Sequence, residues 1–234
     1  MAEHAPLSLT IIIPVYNEAK TVRAVVDRLL SVPLPVSLEI IVVDDGSTDG
    51  TDKALAALSH PKVKTLRHER NQGKGAAIRT GLTGATGDLT LIQDADMEYD
   101  PGEIPLLLEP ALKQGAPVVY GSRILKGDNP ASYARYYWGG RLVSWWTNLL
   151  FASAVTDEPT CYKLFRTELL RSLGLKCTGF EFCPEATGKV LLRGIPIAEV
   201  PISYRPRRIE EGKKIRWKDG VIALWTLLKV RLWG

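Results

Sequence analysis

At 234 residues, with 45% apolar and 24% charged content, the chain is long enough for one globular domain with a sizeable core, and its composition excludes disorder. A formal net charge of +4 is too small to point to nucleic acid and suits anionic small molecules or an anionic lipid surface instead. The three cysteines, Cys161, Cys177 and Cys183, are odd in number and lack metal-ligand spacing, so they read as reduced thiols in a cytosolic setting.

No signal peptide is expected: the N-terminus carries Glu3 and no basic cluster, and Pro14 breaks its apolar segment. No uninterrupted apolar run reaches the roughly 18 residues of a spanning helix. In chain order, residues 9–13 are β-branched and apolar, and Pro14-Val15-Tyr16-Asn17-Glu18 turns the chain into a helix over about residues 19–30. Residues 38–43 form a second apolar strand, ending in Asp44-Asp45-Gly46-Ser47-Thr48-Asp49-Gly50 before an alanine-rich helix over residues 51–58. A third strand at residues 63–67 leads through Asn71-Gln72-Gly73-Lys74-Gly75 into a helix ending near Gly84. The run beginning at Leu89 is the fourth strand and exits into Asp94-Ala95-Asp96-Met97-Glu98.

Near-continuous apolar strands alternating with helices predict a doubly wound, mostly parallel α/β sheet, which binds ligands at the carboxyl ends of its strands. Glu18, Asp45 and the acids 94 to 98 then surround one crevice. If the backbone stays extended, Asp94, Asp96 and Glu98 point to the same side. Crowded carboxylates repel, and a hard divalent cation, Mg²⁺ or Mn²⁺, held by one or two of them plus substrate phosphates, relieves that repulsion. The plainer reading is a solvated loop in which Glu98 caps the next helix. Gly73-Lys74-Gly75 lacks both the Walker and the dinucleotide spacing. Its flanking Arg70, Lys74 and Arg79 can neutralise a phosphate, or the glycines serve a tight turn and close helix packing.

A helix over residues 104–114 precedes a strand at residues 117–120 that ends in Gly121-Ser122-Arg123, placing a cation at the same edge. Residues 131–155 are helical and aromatic, with Arg141, Ser144 and Asn148 on one face, a stripe suited either to a polar site beside lipid or to packing on the sheet. A strand at residues 161–165, a helix to Leu192 whose Glu185 favours the helix dipole or faces the cavity, and a strand at residues 198–202 follow. The basic run Arg205, Arg207, Arg208, Lys213 and Lys214 reads as a solvated loop or as a lid over phosphates. Residues 219–233 form a basic, Trp-bearing amphipathic helix suited to a headgroup region.

Five motifs in register, Ile13 to Glu18, Val43 to Thr51, Gly73 to Gly75, Asp94 to Asp96 and Gly121 to Arg123, resemble family 2 glycosyltransferases with the GT-A (Rossmann-like) nucleotide-diphospho-sugar transferase fold. More narrowly, the chain looks like the dolichyl- and polyprenyl-phosphate sugar synthases, the dolichol-phosphate mannose synthases among them. The resemblance covers nearly the whole chain as one domain, 1–234, with the amphipathic helices at 131–155 and 219–233 as candidates for a membrane interface. It implies that Pro14, Tyr16, Glu18, Val43 and Asp45 line the nucleotide pocket, and that Asp94, Ala95 and Asp96 match the family's DXD. Asp96 and Glu98, with Asp94, would hold the metal; the family often has Gln where this chain has Glu98. Arg123 matches an arginine that contacts phosphate, and Arg208 with Lys214 match a basic pair over the donor. Ser144 matches a serine at the acceptor phosphate; its companion arginine falls at Arg141, beside Gly140, which strict register selects.

The expected reaction is inverting attack of a polyprenyl or dolichyl phosphate oxygen on the anomeric carbon of a UDP- or GDP-linked hexose. A phosphate acceptor, largely dianionic at pH 7 with a second pKa near ~6, needs cations rather than a base. Asp94 would hold sugar or ribose hydroxyls, and Asp157 is the candidate base if the acceptor is a hydroxyl. The expected setting is cytoplasmic and peripheral on a membrane's cytoplasmic face. Three rivals remain: a sugar-1-phosphate nucleotidyltransferase, which would want a glycine-rich basic loop after the first strand; a glycosyltransferase acting on a saccharide or protein hydroxyl; and a non-catalytic membrane-peripheral binding module.

Overall fold

The computed structural model describes residues 7–130, 133–207, 214 and 216–234. Arg208 and Lys213 lie outside the described residues, as do the first two positions of the predicted helix at 131–155. Strands β1 (Ser8–Val15) and β2 (Ser37–Asp44) pair in parallel along their length, with β3 (Val63–Arg67) on the far side of β2 and β4 (Leu89–Ile92) on the far side of β1. Adding β5 (Val118–Ser122), β6 (Lys163–Arg166) and β7 (Ala198–Pro201) completes one sheet in the order β3-β2-β1-β4-β6-β5-β7. Every pair is parallel except those made by β6.

The period-two alternation of side chains divides β1 between two cores. Leu9, Ile11 and Ile13 meet α1 (Val22–Ser31) and α4 (Ile104–Lys113) on one face, where α2 (Thr51–Ala56) adds Leu55. Ile12 points to the other face, against α3 (Lys74–Gly84), α6 (Thr167–Ser172) and α7 (Phe182–Leu192). Helices thus cover both sides, as the apolar strands require. A third layer, α5 (Ala134–Phe151) and α8 (Trp217–Trp233), packs on α7. Gly188 of α7 allows this approach, because a Cβ there would lie 3.0 Å from Val230 and 3.3 Å from Phe151.

Two features depart from the sequence reading. The short helix α6 was not expected, since its six residues are too few to show a helical period. The reversal of β6 has a topological cause: the chain leaves β5 at the carboxyl edge, runs through α5 and re-enters the sheet at that same edge. Its first strand residue therefore lies where the parallel strands end, and the segment before it, residues 157–161, sits beside the carboxyl ends of the sheet.

Candidate functional site

A cavity of about 350 Å³ opens at the carboxyl edge and is lined by Pro14, Tyr16, Glu18, Asp45, Asp94, Ala95, Asp96, Glu98, Arg123 and Lys214. The acids expected from separate strands thus meet in one place. Val43 does not: its side chain is fully buried in the core beneath α3, because a strand residue two before Asp45 is already inside the sheet layer.

The two loops after β1 and β2 are stitched together. Ser47 accepts from the Asn17 backbone at 2.9 Å, Thr51 accepts from the Glu18 backbone at 2.9 Å, and Asn17 accepts from the Thr48 backbone at 2.8 Å. Asn17 sits at φ 53°, a left-handed conformation that asparagine tolerates better than most side chains. Asp45 is committed rather than free. Its oxygens accept from the backbone of Gln72 (2.8 Å) and Gly73 (2.7 Å), and His68 lies 2.7 Å from the first. Asp45 therefore fixes the loop that delivers Lys74.

That loop does not hold phosphate at its helix. The N-terminus of α3 is already capped, with the backbone N–H of Gly75 donating to the carbonyl of Gly179 (3.1 Å) and that of Ala76 to the carbonyl of Thr178 (3.0 Å). A Cβ at Gly73, whose φ is +99°, would lie 2.3 Å from the Thr178 carbonyl oxygen, and one at Gly75 would lie 2.9 Å from that of Cys177. The glycines serve close packing. Glu181 and Glu185 hold the capping loop by accepting from residues 176 to 179, so Glu185 does not face the cavity. Lys74 instead reaches Asp94 at 2.5 Å and Cys161 at 3.0 Å.

The acids after β4 do not form an extended row. The strand ends at Ile92, and Met97 at φ 61° turns the backbone, which sends Glu98 toward the C-terminal segment. Glu98 accepts from the Tyr204 hydroxyl at 2.8 Å and from the Arg207 backbone at 2.6 Å. Arg207 forms a fork on Glu18 at 3.0 and 2.8 Å and lies 3.8 Å from Asp96, while Lys214 also contacts Glu18 at 3.0 Å. The positive charge demanded by crowded acids is supplied here by the basic segment. Among the described residues, no three Asp, Glu, His or Cys side chains form a ready cation site.

A second cavity, of about 750 Å³, lies between this edge and the α5–α8 layer and is lined by Arg123, Arg141, Ser144, Asp157 and Glu158 among others. Arg123 also lines the first cavity. Its guanidinium forks onto Asp157 at 2.7 and 2.6 Å, and its backbone N–H adds a bond of 2.9 Å. Burial pushes the Asp157 carboxyl up, but the Arg123 guanidinium prevails and holds it below the usual range. With both oxygens taken and a lowered proton affinity, Asp157 is unsuited to be a base; it orients Arg123. Ser144 accepts from the Glu158 backbone at 2.9 Å, Asn148 holds Val155, and Arg141 donates to the Thr156 carbonyl at 3.3 Å. The polar stripe of α5 therefore docks residues 153–158. The same helix exposes Trp138 and Leu142, which line this cavity, and Trp145 and Leu149, which do not.

Some cavity residues carry no sequence signal of their own. Tyr99, Tyr204 and Phe180 come from turns and loops where no periodicity singles out an aromatic ring. Glu158 is fully buried with neither carboxyl oxygen hydrogen-bonded; burial raises its pKa, and nearby Lys163 opposes the shift.

The profile of a family described as glycosyl transferase family 2 matches residues 10–174. A dolichol-phosphate mannosyltransferase of Pyrococcus furiosus is 30% identical over 88% of this chain, which spans 59% of that relative's length. An undecaprenyl-phosphate mannosyltransferase of Micrococcus luteus is 31% identical over 94% of this chain and 97% of its own. Among solved structures, glucosyl-3-phosphoglycerate synthase from Mycobacterium tuberculosis, in complex with Mn²⁺, UDP-glucose and phosphoglyceric acid, superposes with a TM-score of 0.73. It shares 23% identity, covering 96% of this chain and 80% of that one.

Proposed function

The chain belongs to glycosyl transferase family 2 and has the GT-A fold, and from that premise we propose that it moves a hexose from a UDP- or GDP-linked donor to a polyprenyl or dolichyl phosphate, with inversion. The relatives that act on dolichol phosphate and undecaprenyl phosphate support this reading. The observation that carries it is Arg123, a cation fixed by Asp157 that lines both the acid cavity at the strand ends and the larger cavity beneath α5 and α8. The first cavity suits the nucleotide diphosphate. The second offers a phosphate its guanidinium and Arg141, and offers a lipid chain the apolar sides of the two helices.

In the proposed step, an oxygen of the acceptor phosphate forms a bond to the anomeric carbon as the bond from that carbon to the nucleoside diphosphate breaks. Arg123, with Arg141 and the Ser144 hydroxyl, orients the attacking phosphate, and no group need take its proton. Asp94, paired with Lys74, faces the sugar or ribose hydroxyls; Pro14, Tyr16 and Ala95 bound the nucleotide. Lys214 and Arg207 meet the diphosphate, with Arg208 as a further candidate outside the described residues. The carboxylates of Asp96 and Glu98 are hard oxygen donors that line the first cavity and, with Asp94 as a further candidate, would hold Mg²⁺ or Mn²⁺ together with the donor diphosphate. Such a cation, when bound, supplies Lewis-acid stabilisation of the departing charge. For these residues to serve it, Arg207 must give up its place near Asp96.

The acceptor suggests a membrane surface, and the exposed Trp138, Trp145, Trp217, Trp225 and Trp233 of α5 and α8, beside Lys218, Lys229 and Arg231, support peripheral binding to the cytoplasmic face. No helix among the described residues is long and apolar enough to cross a membrane. A thermal-shift panel tests the donor half. UDP-glucose, GDP-mannose and their diphosphates, each with Mg²⁺ or Mn²⁺, should include one ligand that raises the melting temperature by roughly 5–10 °C at about 100 times its Kd. A flat response to every nucleotide would remove the proposal.

A further inference from the structure

Among the side chains that line both cavities, Tyr204 is one that the proposed step does not use. The Tyr204 ring lies in the wall shared by both, half beneath Arg123, whose guanidinium carbon is 4.9 Å from the ring centre. At the other end the Tyr204 hydroxyl donates to Glu98 at 2.8 Å. Glu98 in turn accepts from the Arg207 backbone at 2.6 Å, and Arg207 reaches Glu18. The residue is itself clamped: its backbone N–H donates to the Asn129 side chain at 2.7 Å, and its ring packs at 5.5 Å on Tyr99. Tyr204 is 8% exposed, so neither end drifts in solvent.

We infer that Tyr204 is a positioning residue with two separable ends, its ring setting Arg123 for the acceptor phosphate and its hydroxyl setting Glu98 and Arg207 for the donor diphosphate. The inference rests on the two-cavity transferase reading and adds to it a residue whose chemistry divides cleanly between substrates. Phenylalanine keeps the ring under Arg123 and removes the hydroxyl. Leucine removes both. A side chain that merely filled space would tolerate phenylalanine and would show no preference between ligands.

The test compares the unmodified chain with Tyr204→Phe and Tyr204→Leu by calorimetric titration, using UDP and GDP with Mn²⁺ as donor probes and farnesyl phosphate in detergent as the acceptor probe. Loss of a hydrogen bond to a charged group predicts that Tyr204→Phe weakens the nucleotide–Mn²⁺ complex by about tenfold or more and leaves farnesyl phosphate within about twofold. Loss of the cation–π contact predicts that Tyr204→Leu also weakens farnesyl phosphate, by roughly fivefold or more. Equal losses for both probes in Tyr204→Phe, or no loss in either, overturn the inference. Should Tyr204→Leu fail to fold, the phenylalanine variant alone decides. Failure of the unmodified chain to bind any of the probes overturns the transferase reading itself and this inference with it, a result distinct from equal binding across the variants.

Discussion

Arg123 and Asp157 are held by three bonds of 2.9 Å or less, one of them to the Arg123 backbone, and this pair governs what the second cavity can do. Cutting it leaves a partly buried guanidinium without its partner, so Asp157→Asn should lower unfolding stability by about 1.5–3 kcal/mol in denaturant titrations. From the sequence Asp157 reads only as a candidate base for a hydroxyl acceptor, because nothing in the spacing of residues 123 and 157 shows that they meet. The folded-state pKa of Asp157 is lowered, so the pair's contribution is fully present above the unfolded value of 3.8 and is lost only as pH falls through the lower folded one. Stability between pH 5 and 7 should therefore owe no slope to this pair. Glu158 has the reverse sign. Its folded-state pKa is raised above 4.5, so its contribution declines as pH rises from there. Glu158→Gln should accordingly be more stable than the parent at pH 8 in denaturant titrations, with the advantage vanishing near pH 4. A constant difference across that range would contradict the buried neutral acid.

At the scale of elements, the strands were legible because they are runs of apolar residues with few alternatives, and β1 to β5 fall within a few residues of where periodicity puts them. What followed β4 was not. The expectation of a straight row of carboxylates assumed an extended backbone, and the left-handed Met97 has no sequence signature, being neither glycine nor asparagine. The reversed β6 was equally hidden, since an apolar strand reads the same in either direction. The role of Gly73 and Gly75 was left open between phosphate binding and packing, and only the approach of the loop at Cys177 to Gly179 decides it. Gly75→Ala should thus damage α3 through backbone overlap, costing about 1–3 kcal/mol in unfolding stability. If the substitution were neutral in stability and harmful only to nucleotide binding, the packing account of this helix would be wrong.

Across the whole molecule, one edge of the sheet gathers the acids, the fixed arginine and the two cavities, while the third layer carries the exposed aromatic rings. That separation was partly readable: the aromatic helices could be seen, but their attachment to each other through Trp146, whose indole donates to the Leu224 carbonyl at 3.1 Å, could not. Because Trp145 and Trp225 are exposed on α5 and α8 and line neither cavity, replacing the two together with Ser should reduce sedimentation with anionic phosphatidylglycerol vesicles by several-fold while leaving the melting temperature within a few degrees. Unchanged vesicle binding would move the lipid contact elsewhere. A phosphate acceptor served by a fixed arginine needs no base, and a transfer assay with paired acceptors separates this from attack by a hydroxyl. Labelled UDP- and GDP-linked hexoses with Mn²⁺ are offered to undecaprenyl phosphate and, in parallel, to the free alcohol undecaprenol. Label should appear on the lipid phosphate from one of the donors and not on the alcohol; label on the alcohol, or on neither acceptor with every donor, would contradict a base-free phosphate acceptor.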